Sequence, residues 1–307
     1  MSAPAIEKEL KVDPLLTTPP PPEIENSEPE LRNAVEWSDS IVAHLKELTH
    51  HLELLQLTTQ RELKIRYKQT ALGAVWAVLQ PLSLMLVFGI FFSYFAGMKG
   101  DTGMPYALFS YTGLLSWTFF STALSFAIPS LITNSYVITK IYFPREIVPL
   151  SCVLAAFVDF LVAAVIFVGL LLFYHNDVTI NANVLFVVPL MIIQLLFTIG
   201  VSFFLSAFTV LYRDVRYAMP LVIQVWMFAT PILYSASKVK DKSETLYNLY
   251  MTLNPMAVII DSYRKCIIQG LTPDLKFVGI AAAISVIVVL ASYKYFKHLE
   301  REFADLV

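Results

Sequence analysis

Between Lys68 and Lys99 there is not one Asp, Glu, Lys or Arg. Crossing the hydrocarbon core of a bilayer takes about 20 consecutive apolar residues of helix, and this stretch exceeds that length. A buried core helix of a soluble protein is normally shorter and punctuated by polar residues, so the stretch reads as a membrane span. Composition agrees: 15% of the residues are charged and 57% are hydrophobic, against about a quarter charged in an ordinary soluble domain. The chain is read as an all-α integral membrane protein.

Six apolar stretches follow one another, at roughly 71–95, 106–131, 147–173, 184–211, 218–234 and 277–295. The third and fourth exceed the minimum for a span, and the fifth is short and bounded by proline. Orientation follows the Lys and Arg residues of the short flanks. With both termini in the cytoplasm, Arg61, Lys64, Arg66, Lys68, Lys140, Arg145, Arg213, Arg216, Lys294, Lys297 and Arg301 all fall inside, and the two short outer loops hold only Lys99. The protein is expected to be multi-pass, in contact with membrane lipids, with no nucleic-acid partner.

Residues 1–36 carry Pro4, Pro14, Pro19 to Pro22 and Pro29, with eight acids against three bases. They contain no apolar core of the kind a signal peptide needs. Such a composition cannot bury enough apolar surface to offset its ordering entropy, and predicts a disordered acidic cytoplasmic tail. Across 37–70, Ile41, Leu45, Leu48, Leu52 and Leu55 recur every three or four residues, with charged residues and histidine between them. That spacing predicts one apolar stripe on a helix, capped by Ser38 or Asp39. The basic run from Arg61 to Lys68 follows, so the helix is expected at the cytoplasmic interface, in the membrane plane or against a partner's soluble domain. Residues 71–307 form the membrane domain. Within it, 235–276 is expected to fold as two short re-entrant helices on the outer side, the second opening at Asn254-Pro255 and closing near Gly270.

The chemistry is sparse. No GxxxxGK[ST] motif occurs, so the chain has no phosphate-cradling loop. No nucleophile-base constellation stands out, and Cys152 and Cys266 fall near opposite membrane faces in no metal-binding spacing. The chain is not expected to be an enzyme or to hold a cofactor or metal, and its energy comes from a partner or a gradient. Trp76, Gln80 and Pro81 in the first span, and Pro220, Gln224, Trp226 and Pro231 in the fifth, mark chemically odd helices. Prolines free backbone carbonyls inside a span, and glutamine needs a hydrogen-bond partner there. Interrupted spans tend to line pathways, so Trp76, Gln80, Trp117, Gln224 and Trp226 are candidates for a substrate path; the competing reading is plain helix packing. Asp159, near the middle of the third span, must be protonated, paired or facing water. A structural hydrogen bond and a proton-carrying role are both open to it. In the first case Asp159→Asn is expected to keep substantial transport.

The run Arg61 to Gly73, continuing into Trp76 and Gln80-Pro81-Leu82, resembles the permeases of type-2 ABC exporters, in the branch that handles O-antigen, capsular and teichoic-acid polysaccharides. Leu131 to Pro149, Tyr212 to Tyr217, Trp226 to Pro231 and Asn254-Pro255-Met256 are similar too, in the family's order over about residues 41–307. The resemblance implies a homodimer of permeases joined to two ABC ATPase subunits, which hold the ATP and Mg²⁺, in the cytoplasmic (inner) membrane. It implies a lipid-linked glycan as substrate, a channel between the protomers bordered by spans one and five, and outer re-entrant helices as gate elements. It places a helix that couples to the ATPase around Thr133 to Arg145, with Lys140, Pro144, Arg145 and Glu146 as its contact residues. That loop is read as short, charged and lightly packed. Export of a small hydrophobic solute on the same scaffold, a proton-coupled carrier using Asp159, and a membrane enzyme are the alternatives.

Overall fold

The computed structural model describes residues 51–68, 70, 72–73, 75–91, 105–136 and 143–300. The expected tail, Leu45, Leu48 and Lys140 lie outside the described residues. Among the described residues every regular element is helical. In order these are α1 (Leu52–Tyr67), α2 (Val75–Phe88), α3 (Tyr106–Thr133), α4 (Ile147–Phe173), α5 (Val187–Leu211), α6 (Val215–Ala229), α7 (Ser237–Lys242), α8 (Glu244–Leu253), α9 (Pro255–Arg264) and α10 (Leu275–Glu300).

Among the described residues, four helices are long and apolar enough to cross a membrane: α3, α4, Ala182–Leu211 (α5 with its lead-in) and α10. The first and fifth predicted spans are shorter apolar helices, Val75–Phe91 and Val215–Ala229. α6 stops five residues before the predicted boundary because Pro231 has no N–H to extend the ladder.

Helix α3 is the centre of the bundle and packs on α4 and α5, while α5 pairs with α10. The α5–α10 contact is close because of Gly200, where an added Cβ would lie 2.8 Å from the Val289 backbone nitrogen. Small residues at such crossings let backbones approach, which is how helices gain packing when no water drives them together. One end of the bundle holds Thr133, Ile147 and Glu300. The opposite end holds Tyr106, Phe173 and the short helices α7 to α9.

Helix α1 departs from expectation. It buries Leu55 but leaves Leu52 exposed, so only part of the predicted stripe faces protein. Leu55 sits in the cluster holding Ile147 and Val148, while Tyr67, at the other end of the helix, reaches Asp159. Leu55 to Tyr67 and Ile147 to Asp159 each span about 18 Å of helix. Helix α1 therefore runs alongside the first half of α4.

The two short helices expected within 235–276 are present as α8 and α9. The Ser243 side chain accepts from the Leu246 N–H to start α8, and Asn254 accepts from the Ala257 N–H to start α9 with Pro255 in its first turn. Each cap satisfies a donor that the helix itself cannot. A wide turn, Lys265–Gln269, ends at Gly270 in the left-handed region at φ 66°. Glycine is required there on two counts, since a Cβ would also lie 2.5 Å from the Thr179 carbonyl oxygen.

Candidate functional site

Helices α1 to α4 line a half-open cavity of about 560 Å³. It brings together three of the residues singled out in the sequence: Trp76, Gln80 and Asp159. Trp76 and Gln80 stand one turn apart on α2 and share a face. Trp76 is 51% exposed, so its indole borders the cavity and also presents a free surface. The wall is aromatic and apolar along its length, with Leu115, Phe119, Phe126 and Phe160, and polar near Arg61 and Asn134. The Arg61 guanidinium donates to the Asn134 side-chain oxygen at 3.1 Å.

Asp159 is paired, although its own span and the neighbouring spans supply no cation. Its Oδ2 accepts from Arg66 Nη1 at 2.9 Å and its Oδ1 from the Tyr67 hydroxyl at 2.6 Å. Arg66 also donates to the Cys152 carbonyl at 3.0 Å and stacks 4.0 Å from the Phe126 ring. The two side chains are only 5% and 16% exposed, which makes this a desolvated pair. Burial, and then the hydrogen bond to Asp159, push the Tyr67 phenol above its ordinary pKa, so it serves as a donor. Sequence reasoning placed Arg66 in a solvated basic run and missed this partner. The signal available was the Arg66-Tyr67 dipeptide at the end of a helix long enough to lie beside α4.

The remaining candidate path residues separate. Trp117 is 4% exposed, packs against Phe120 and meets Trp226 edge-on at 6.2 Å; it offers no surface to a path in this conformation. Trp226 is half-buried in the same cluster, with Phe120 at 5.1 Å. Gln224 is exposed on α6. The exposed faces of α2 and α6 therefore each carry an amide, Gln80 and Gln224, among apolar side chains. Gln194 is an amide the sequence reading overlooked: buried, it donates to the Ser116 carbonyl and accepts from the Tyr263 hydroxyl.

The loop proposed to couple to an ATPase is held more tightly than its sequence suggests. Pro144 is buried. Glu146, 1% exposed, pairs with Lys297 at 2.9 Å and accepts from the Tyr293 hydroxyl at 3.1 Å. Arg145 Nη1 donates to the Glu300 carbonyl at 2.6 Å. The expectation of a lightly packed loop is corrected: its charges turn inward and fasten it to the end of α10. Cys152 and Cys266 are both free and buried.

At the opposite end, Arg264 is the charged residue that sequence reading passed over. It is 3% exposed and its guanidinium lies 3.6 Å from the Phe109 ring. Nearby on α9, Lys265 pairs with Asp261 at 2.8 Å. Burial works against the ammonium charge, but Asp261 together with Tyr247 and Asp274 outweighs it, and the Lys265 pKa is raised.

Residues 53–268 match the family model of the ABC-2 type transporter. The chain is 31% identical over 263 residues to the O-antigen export system permease protein RfbA of Myxococcus xanthus, covering 86% of this chain and 98% of that one. It is 29% identical to the protein of the same name from Klebsiella pneumoniae, covering 85% and 97%. The polysialic acid transport protein KpsM of Escherichia coli is 19% identical over 244 residues, covering 76% and 90%. With the family model spanning most of the chain and near-complete coverage of a relative above 30% identity, this protein belongs to the ABC-2 type transporter family of membrane proteins.

Proposed function

We propose that the chain is the permease subunit of an ATP-driven exporter of lipid-linked, O-antigen-like polysaccharide in the cytoplasmic membrane. The observation that carries this reading is the near end-to-end match to O-antigen export permeases, at 97–98% of their length. The sequence contains no phosphate-binding loop of its own, so hydrolysis of ATP with Mg²⁺ falls to two separate ABC ATPase subunits.

In this reading both termini are cytoplasmic, and α2 and α6 complete six spans with α3, α4, α5 and α10. Helices α8 and α9 are the re-entrant pair on the outer side. Two copies of the chain enclose the path. Support for a second copy comes from α2 and α6, whose exposed faces combine large apolar side chains with Gln80 and Gln224. An amide facing hydrocarbon lacks the hydrogen-bond partners that a water-filled, glycan-filled gap supplies. Trp76, half-exposed near the cytoplasmic end, offers an apolar ring face with a polar handle, which suits weak and repeated contact with sugar rings. The segment from Thr133 to Arg145 transmits the motion of the ATPases. Because Glu146 and Arg145 are bonded to α10, force applied to the loop reaches α4 and α10 together.

The test is co-expression with an ABC ATPase in cells lacking their own polysaccharide exporter, scoring polymer at the cell surface. Surface polymer is expected only when both subunits are present and the ATPase is hydrolysis-competent. Polymer export without any ATPase, or ATP turnover by the purified chain alone, overturns the assignment.

A further inference from the structure

Helix α6 ends at Ala229, and the next residues, Thr230-Pro231, turn away from the helical path. A helix end leaves its last carbonyls without partners. Here the carbonyl of Ala229 and those of the turn that follows, Pro231 to Leu233, are taken up one after another by side chains from α8, α9 and α3. The Tyr250 hydroxyl donates to the Ala229 carbonyl at 2.8 Å. Arg264 Nη1 and Nη2 donate to the carbonyls of Pro231 and Ile232, each at 2.6 Å. The Tyr106 hydroxyl donates to the Leu233 carbonyl at 3.1 Å. Asn254, whose side-chain oxygen caps α9, donates through Nδ2 to Thr230 Oγ1 at 3.1 Å, and that hydroxyl donates back to the Trp226 carbonyl at 2.9 Å.

Arg264 is the centre of this arrangement. Its third donor, Nε, reaches the Phe109 carbonyl on α3 at 3.2 Å. Three donors thus join three segments: the turn that follows α6, the first turn of α3 and α9 itself. The fit leaves no room to slide. At Gly113 an added Cβ would lie 2.7 Å from Arg264 Nη2 and 3.1 Å from the Ile232 carbonyl. A planar guanidinium makes such a fork where an ammonium cannot, and its burial makes each bond costly to break.

We propose that Arg264 is a positioning residue for export: it clamps the α8–α9 pair, the first turn of α3 and the turn that follows α6 together, so that they move as one rigid block with the outer end of α6 when the path opens. The proposal rests on reading α6 as a path helix. A gate that swings while α6 stays still, or an α6 that slides past a fixed gate, would have to break several buried hydrogen bonds at once. A block that takes in the first turn of α3, and is hinged outside that turn, breaks none of them.

The experiment uses the full complex of permease and ATPase, with Cys152→Ala and Cys266→Ala as background. Thr230→Cys with Asn254→Cys replaces the Thr230–Asn254 hydrogen bond by a reducible disulfide between the end of α6 and the start of α9. Cross-link yield, measured without substrate, is expected to be equal in nucleotide-free and ATP-bound complexes. Export by the oxidised form is expected to stay within about twofold of the reduced form of the same variant, since a joint inside one rigid block does not oppose gating. Adding Arg264→Met is expected to lower export about tenfold in the reduced form while ATP hydrolysis continues, and oxidation is expected to restore it. A role in stability alone predicts no such recovery of export at unchanged assembly. Loss of export on oxidation with Arg264 intact, failure of the disulfide to form, or a yield that changes with nucleotide overturns the clamp; the first and last of these hold even if Arg264→Met fails to assemble. If the wild-type complex exports no polysaccharide while the yields stay constant, it is the proposed substrate that fails and not the clamp.

Discussion

Replacing Asp159 by asparagine removes one charge and almost no volume, and the structure gives that change a large cost. Arg66 and Asp159 pair at 2.9 Å with side chains 5% and 16% exposed. The other contacts of Arg66 are a carbonyl and an aromatic face, and neither carries a full negative charge. After Asp159→Asn the guanidinium stays where it is, now without its carboxylate. Breaking one side of a buried pair typically costs about 3–5 kcal/mol, because the remaining charge is uncompensated. Tyr67 also loses a charged acceptor at 2.6 Å, and hydrogen bonds to charged groups are the stronger kind. For a chain of this size the melting temperature is expected to fall by about 10 °C.

Removing both charges is expected to do less harm. Arg66→Met with Asp159→Leu fills the same space with apolar side chains, and buried pairs replaced in this way often prove neutral or stabilising. The assay is thermal unfolding of the purified chain in detergent, with wild type, both single variants and the double variant side by side. A melting temperature for Asp159→Asn close to wild type, or a double variant as unstable as the sum of the singles, refutes the reasoning. The outcome reverses the expectation from the span alone, where asparagine replaces a neutral or hydrogen-bonded carboxyl without loss. A proton carrier predicts something different again: transport lost with stability intact.

Three further outcomes follow from the same geometry. Glu146→Ala is expected to cost about 2–3 kcal/mol, since Lys297 keeps Glu300 but loses its buried partner; detergent melting curves check this, and an unchanged curve returns the residue to a purely surface role. Gly113→Ala is expected to destabilise by about 1–3 kcal/mol through overpacking against Arg264, whereas Gly169→Ala, with open space around its Cβ, is expected to be neutral or slightly stabilising; the same melting comparison separates them. Cysteines at Gln80 and Gln224, introduced without Cys152 and Cys266, are expected to react with membrane-impermeant thiol reagents in the ATP-bound complex, while a cysteine at buried Trp117 is not, and inert cysteines at both glutamines would send the path elsewhere.

The fold was legible where a residue's neighbours along the chain decide its state. Long apolar runs bounded by charge gave α3, α4, α5 and α10, and Asn254-Pro255 announced the start of α9, because caps and span lengths are local physics. What the sequence hid are pairings between distant segments. Arg66 and Asp159 lie in different helices, and each alone has a sensible solvated or protonated reading. Glu146 and Lys297 are 151 residues apart in the chain, and a charged Pro-containing turn reads as exposed until α10 is laid beside it. Trp117 and Gln194 are of the same kind: a tryptophan and an amide inside a span suggest a pathway or glue equally well, and only burial distinguishes the two.

Of the six helices read as spans, the two that border the proposed path are also the least embedded in the bundle. Helix α3 is buried over most of its length, and α5 and α10 are locked together at Gly200. By contrast α6 buries one residue, Ile223, within its fifteen, and α2 buries Pro81 and Met85 within its fourteen. Along its length α6 rests on the Trp226 aromatic cluster, and its end is held by Arg264, Tyr250 and Asn254. A helix with few buried contacts along its sides and strong ones at its tip can tilt or separate at little cost to the core, because local stability follows contact density. The exposure of Gln224 and the strength of the contacts at the tip are then two sides of one arrangement: α6 is loose along the face of the proposed path and firmly attached where α3, α8 and α9 meet its end.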